Sequence, residues 1–187
     1  MDLVKETILG NLTRINQWMQ ANGVDLVFLC DPPNVRYTTG VGPFITRTMF
    51  ESSYSEYVLL TKDNEMPTIL VNPFYEPYYR DKVGWASDIG TLNEIETRLR
   101  KLSGIKRVIT STETPFHLIE TMRANLKDAV IVPDASEIER IRSIKSDKEI
   151  ALVRKSAKIS CAMMEKARKA CKAGAKERNC SLDTNHM

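Results

Sequence analysis

Residues 24–30 read Val-Asp-Leu-Val-Phe-Leu-Cys, and residues 31–34 read Asp-Pro-Pro-Asn. The first stretch is an apolar run with one charge, and it lacks the alternation of a half-exposed strand. A strand that is covered on both faces is typical of a parallel sheet. The second stretch cannot continue the strand, because proline lacks a backbone N–H and restricts the residue before it. We therefore predict a buried strand that ends in an extended turn.

Helices and short strands alternate on both sides of this stretch. The apolar spacing predicts a helix over residues 3–21, which Asn22-Gly23 terminates. Strands are predicted at 57–61, 68–72, 107–110 and 129–132, and helices at 92–102 and 115–126. The polar turn at 62–65 makes the first two of these strands a β-hairpin. This order indicates a three-layer α/β fold, a mixed β-sheet with helices on both faces.

The C-terminal part of the sequence predicts a long helix. Ser136 with Glu139, and Ser146 with Glu149, have the spacing of two capping boxes. The second box opens a helix over residues 147–173, which Gly174 ends. Apolar residues cover a broad face of this helix, Cys161 and Cys171 included, and so broad a face requires packing partners on more than one side.

Composition is that of an ordinary soluble globular protein, and we expect a cytoplasmic location. The 187 residues are 42% hydrophobic and 27% charged, with a net charge of +3. No apolar run is long enough to cross a bilayer, and the N-terminus has no signal-peptide pattern. Residues 1–139 carry a net −5 and residues 140–178 a net +9. The basic helix indicates a solvated face, with nucleic-acid binding as the lesser alternative.

Candidate reactive groups are few. Cys30 follows the buried strand, where it either packs in the core or acts as a nucleophile with His117 as its base; packing is favoured. The segment Gly40-Val41-Gly42 lacks the third glycine of a dinucleotide fingerprint. An aromatic cluster favours a protein interface over a base-stacking platform; its members are Phe74, Tyr75, Tyr78, Tyr79 and Trp85.

Two motifs resemble those of the creatinase/prolidase N-terminal domain. The first is Asn-x-x-Tyr-x-Thr-Gly, formed by Asn34, Tyr37, Thr39 and Gly40. The second is Ile-Arg-Ser-Ile-Lys-Ser-Asp-Lys-Glu-Ile over 141–150, which is similar to the segment that joins this domain to a catalytic domain. Gly-Ala-Lys-Glu at 174–177 resembles a third family segment. The resemblance implies a domain with an RNase H-like motif over residues 1–135, a linker and first helix of a missing catalytic domain over 136–177, and a disordered tail over 178–187.

The family resemblance also implies a function for the parent protein. Enzymes of this family hydrolyse Xaa-Pro bonds, or creatine, in a pita-bread catalytic domain. That domain holds two divalent metal ions (manganese, cobalt or zinc) through two Asp, one His and two Glu. We expect these ligands to lie outside the present chain. We therefore assign it no catalytic, cofactor-binding or metal-binding residue and expect it to be inactive alone.

The resemblance further implies a supporting role in a homodimer. In the family this domain helps to form the dimer and limits access to the partner subunit's active site. Phe44 and Arg47 lie in the comparable region, where a guanidinium pairs with a substrate carboxylate; the alternative is that Arg47 is an ordinary surface residue. The expected partners are a second copy, a catalytic domain in cis and a proline-containing peptide, with no nucleic acid and no membrane. A stand-alone interaction or regulatory module is the rival hypothesis.

Overall fold

The computed structural model describes residues 12–41, 56–64, 66–83, 86, 88–174 and 176. The chain divides into two compact units, Met1–Ile144 and Lys145–Met187. The first contains the sheet and its helices, and the second contains one long helix. Among the described residues, no helix combines the length and the apolar character that a membrane crossing demands.

The described part of the first unit is built on a six-stranded mixed sheet. Its strands are β1 (Leu26–Leu29), β2 (Glu56–Thr61), β3 (Thr68–Val71), β4 (Ile89–Thr91), β5 (Arg107–Thr110) and β6 (Val130–Val132). Their order is β4-β3-β2-β1-β5-β6. The β1–β2 and β2–β3 pairs are antiparallel, whereas β3–β4, β1–β5 and β5–β6 are parallel. The predicted hairpin and the predicted mixed sheet are thus confirmed.

Helices cover both faces of the sheet. They are α1 (Leu12–Ala21), α2 (Pro32–Thr39), α3 (Glu76–Lys82), α4 (Ile95–Lys101), α5 (Phe116–Asn125) and α6 (Ser136–Ser143). On one face, α1, α2 and α6 bury residues such as Met19, Val35 and Ile138 against Val27 and Leu29 of β1. On the other face, α4 and α5 contribute to the second cluster, which contains Leu99, Leu118, Met122, Leu26 and Phe28. All four residues of β1 are buried, as its sequence predicts.

A third cluster lies at the β3–β4 side of the sheet. Tyr79 and Val83 pack there with Ile69, Val71 and Ile89. The Tyr79 hydroxyl donates a 2.8 Å hydrogen bond to the buried carboxylate of Glu56. This bond ties α3 to the first residue of β2.

A buried carboxylate braces the opposite end of the central strands. Asp25, 6% exposed, precedes β1. Its Oδ2 accepts the backbone N–H of Lys106 at 2.8 Å and that of Arg107 at 3.0 Å, at the start of β5. Its Oδ1 accepts from the Lys62 ammonium just after β2. One side chain thus joins the ends of three adjacent strands.

Three local predictions are wrong. Residues 31–34 do not form an extended turn: they open α2, because proline in the first helical turn loses no hydrogen bond and already has a helical φ. Ser136 does not cap α6, because its own N–H donates to Asp134 Oδ1 at 3.0 Å and Ala135 is the N-cap. The long helix ends at Ala170 rather than at residue 173.

The second unit is the helix α7 (Asp147–Ala170) with the residues that follow it. Its capping box is formed as predicted: Ser146 Oγ accepts the N–H of Glu149, and the Glu149 carboxylate accepts the N–H of Ser146. None of its 24 residues is buried. Most of the predicted apolar face is exposed, Cys161 and Cys171 included, whereas Ile150, Met163 and Ala167 are half-buried.

Candidate functional site

A cleft of about 490 Å³ opens at the carboxyl ends of β1 and β5. These strands are parallel neighbours, and open α/β sheets place ligands at such an edge. Three segments line the cleft: residues 31–34 at the start of α2, residues 111–113 after β5, and Ala135, Glu139 and Arg142 of the α6 region.

Asp31 organises the first wall of the cleft. Its Oδ1 accepts the N–H of Asn34 at 3.0 Å, which makes it the N-cap of α2. Its Oδ2 accepts from the Ser111 hydroxyl after β5. The carboxylate therefore joins the helix start to the end of the neighbouring strand, and both oxygens are engaged.

Cys30 lies beneath this wall as a buried packing residue. Its N–H donates to Ser111 Oγ at 3.3 Å, and its Sγ is 3.6 Å from Thr114 Oγ1. Burial, with a smaller contribution from the Asp31 charge, raises the pKa of the thiol to about 12. His117 lies exposed on α5. Cys30 is 3% exposed and belongs to a core cluster, whereas His117 is exposed, so the structure favours the packing interpretation over a Cys30 nucleophile with a His117 base.

The two sequence motifs meet in this cleft. Arg142 Nη1 donates to Asn34 Oδ1 at 2.6 Å, across 108 residues of sequence. The Nδ2 of the same amide donates to Asp31 Oδ2 at 3.1 Å. Asn34 is 1% exposed, so both ends of a buried amide are satisfied. A continuous series of hydrogen bonds therefore runs along the cleft from Arg142 through Asn34 and Asp31 to Ser111.

The other residues of the first motif complete α2. Tyr37 is buried in the core, and the Thr39 hydroxyl donates to the carbonyl of Val35 at 2.8 Å. Gly40 ends the helix with a φ of +73°, where a side chain would be strained. The motif thus encodes a short helix with fixed ends.

Comparison with known proteins decides the family. The family model described as the Creatinase/Prolidase N-terminal domain matches residues 11–144, which is most of the first unit. The chain belongs to this family.

The chain is similar to longer proteins along its whole length. It is 27% identical over 189 residues to the Xaa-Pro dipeptidase of Pyrococcus horikoshii, a match that covers all of this chain and 48% of that protein. This chain therefore spans about half the length of the curated relative.

Solved structures share the fold of this Creatinase/Prolidase N-terminal domain. The prolidase from Pyrococcus horikoshii has a TM-score of 0.65 at 22% identity, covering 94% of this chain and 47% of that one. The X-Pro aminopeptidase from Thermotoga maritima has a TM-score of 0.69 at 13% identity, covering 95% and 48%. Both sequence motifs that carried the resemblance therefore indicated the right family and the right fold.

The remaining candidate residues of this Creatinase/Prolidase N-terminal domain have different outcomes. Phe44 and Arg47 lie outside the described residues, as does Trp85 of the aromatic cluster. Of that cluster, Phe74 is 82% exposed, whereas Tyr79 is fully buried. Among the side chains that the structure describes, no three His, Cys, Asp or Glu lie together as a metal site would require.

Ser111 and the Asn34–Arg142 contact are the parts of the site that sequence reasoning missed. Ser111 is an ordinary serine in a loop, and no local spacing distinguishes it. Asn34 and Arg142 were both recognised as motif residues, but their contact depends on how α6 returns to the sheet. Only the three-dimensional arrangement of α2 and α6 reveals the contact.

Proposed function

We propose that this chain is the non-catalytic N-terminal domain of a metal-dependent Xaa-Pro peptidase. The observation that carries the proposal is its 27% identity, along the whole chain, to a Xaa-Pro dipeptidase twice its length. The hydrolysis of Xaa-Pro bonds and the two divalent metal ions (manganese, cobalt or zinc) are then assigned to the half of the enzyme that this chain does not match. The hydrogen bonds of the cleft support a scaffold role, because Asn34 and Ser111 both donate to Asp31.

The proposed contributions of this domain are dimer formation and control of access to the partner subunit's active site. An exposed apolar surface supports self-association of this chain, and it lies on α7, beyond the residues 11–144 that the family model matches: Leu152, Val153, Ile159 and Met164 are 47–71% exposed. Such a surface favours association. For the second, we propose that Phe44 and Arg47 reach a substrate in the partner's active site, with the guanidinium pairing to its carboxylate.

A chimeric enzyme tests the peptidase assignment and the role of Arg47. Residues 1–144 replace the matching part of the Pyrococcus horikoshii Xaa-Pro dipeptidase, and the hydrolysis of Xaa-Pro dipeptides is measured with manganese or cobalt. We expect the chimera to be active and the present chain alone to be inactive. Arg47→Ala should raise KM about tenfold with kcat little changed, since a charge-assisted hydrogen bond is worth about 1.5–3 kcal/mol.

Arg36→Ala is the matched control, because Arg36 is an exposed arginine on α2. It should leave KM unchanged. Turnover by the isolated chain would contradict the assignment of catalysis to the other half. An Arg47→Ala chimera with the parent KM would dismiss the proposed contact with substrate.

Self-association is expected for the isolated chain. Leu152→Gln combined with Ile159→Gln should raise the dimer dissociation constant at least about 100-fold, because burying each aliphatic side chain is worth about 1.5–3 kcal/mol and tenfold corresponds to about 1.4 kcal/mol. Sedimentation velocity over a concentration series measures this. Arg154→Gln with Lys158→Gln is the control and should change little, because neither exposed residue lies three or four positions from Leu152 or Ile159. A monomer at every concentration would rule out self-association through α7.

A further inference from the structure

Helix α6 is held against the rest of the first unit by apolar packing and by a long-range hydrogen bond from Arg142. Ile138 and Ile141 are fully buried in the cluster that α1 and α2 share. Arg142, one residue further on, reaches across to Asn34 on α2 at 2.6 Å. The helix ends at Ser143, and the first unit ends at Ile144. The polar contact is therefore made at the last turn, just before the chain leaves the unit.

The two arginines of α6 make different kinds of contact. Arg140 pairs with Glu137 on its own helix, and its side chain is 64% exposed. Such a surface pair contributes little to stability. Arg142 is half-buried, and its acceptor is a buried amide that also donates to Asp31. Removing Arg142 would leave the buried Oδ1 of Asn34 without this donor, which is costly.

We propose that Arg142 is a latch that fixes the last turn of α6 to the start of α2, and so sets the point at which the chain leaves the first unit. In this proposal, the two family motifs supply the two partners of one contact. Arg142 of the second motif donates to the amide oxygen of Asn34 in the first motif. The amide nitrogen of Asn34 donates to Asp31, which also accepts from Ser111, and these bonds fix the orientation of the amide. This proposal does not rest on the proposed peptidase function, because it concerns contacts within the first unit alone.

Hydrogen–deuterium exchange of the whole chain tests the latch. In Arg142→Met, amides of residues 138–143 should exchange at least tenfold faster than in the parent, because the last turn opens without its polar anchor. Amides of β1 and β5 should keep their parent rates. Arg140→Met is the matched control, and it should leave residues 138–143 within twofold of the parent. Arg142→Lys, which retains a donor, should restore part of the protection.

A double-mutant cycle separates the latch from general stabilisation. Asn34→Ala should accelerate exchange of the same segment, and adding Arg142→Met should cause no further increase, since each change already removes the Arg142–Asn34 contact. Parent-like exchange of α6 in Arg142→Met would overturn the proposal. So would an equal acceleration of β1 and β5, or a failure of Arg142→Met to fold, because either result would make Arg142 a stabiliser of the whole unit.

Discussion

Phe28→Ala is expected to lower the free energy of unfolding by about 4 kcal/mol. Phe28 lies on β1, is fully buried, and its ring centroid is 5.3 Å from that of Tyr57 on β2. Its side chain packs in the cluster that α4 and α5 cover. Truncation removes apolar burial and leaves a cavity that the rigid central strands cannot fill. Domains of this size are stable by only about 5–15 kcal/mol, so the loss is a large fraction of the total.

Urea denaturation followed by far-UV circular dichroism measures this loss. Phe74→Ala is the matched control, because it makes the same chemical change at a residue that is 82% exposed. We expect that control to change the free energy of unfolding by less than about 0.5 kcal/mol. Equal effects of the two substitutions would contradict the assignment of Phe28 to the core.

The pattern of apolar residues in the sequence made the central strands of the sheet predictable. The apolar run that ends at Cys30 predicted a strand covered on both faces, and all of Leu26–Leu29 is buried. The hairpin followed from two apolar runs around a polar turn. In both places the local sequence and the tertiary environment favour the same structure.

Helix α2 was missed because its first residues are ambiguous. Asp-Pro-Pro is typical of a turn, and it is equally the start of a helix whose N-cap is aspartate and whose first two residues need no N–H partner. The decision lies further along, where Val35 and Tyr37 must be buried beside α1 and α6. The tertiary packing imposes that requirement, and residues 31–34 alone do not reveal it.

The long-range hydrogen bonds of the cleft could not be predicted from local sequence either, because they join residues far apart in the chain. The motifs around Asn34 and Arg142 could each be matched to a family, but nothing in either motif specifies a contact across 108 residues. The contact exists because β5, α5 and β6 return α6 to the side of the sheet that carries α2. The role proposed for Arg47 has no such support and stays a prediction.

Asp25→Ala is expected to lower the free energy of unfolding by about 3 kcal/mol. Asp25 is 6% exposed and accepts the backbone N–H groups of Lys106 and Arg107 at 2.8 and 3.0 Å. Alanine removes the acceptor of both amides at the junction of β1 and β5 and the partner of Lys62, and a hydrogen bond to a charged group is worth about 1.5–3 kcal/mol. Asp63→Ala, at an exposed position in the turn that follows β2, is the control. It should cost less than about 0.5 kcal/mol.

The pH dependence of the Asp25→Ala effect provides the sharper test. The hydrogen bond from Lys62, followed by those from the two backbone amides, holds the pKa of Asp25 below its usual 3.8 against the opposing effect of burial. A carboxylate whose pKa is lower in the folded state stabilises the fold fully above the unfolded pKa and loses that contribution as the pH falls through the folded value. The difference in unfolding free energy between parent and Asp25→Ala should therefore be constant between about pH 5 and pH 8 and shrink below about pH 4. Denaturant titrations of both proteins at a series of pH values measure it, and a difference that persists unchanged at about pH 2 would show that the Asp25 charge does not brace the three strands.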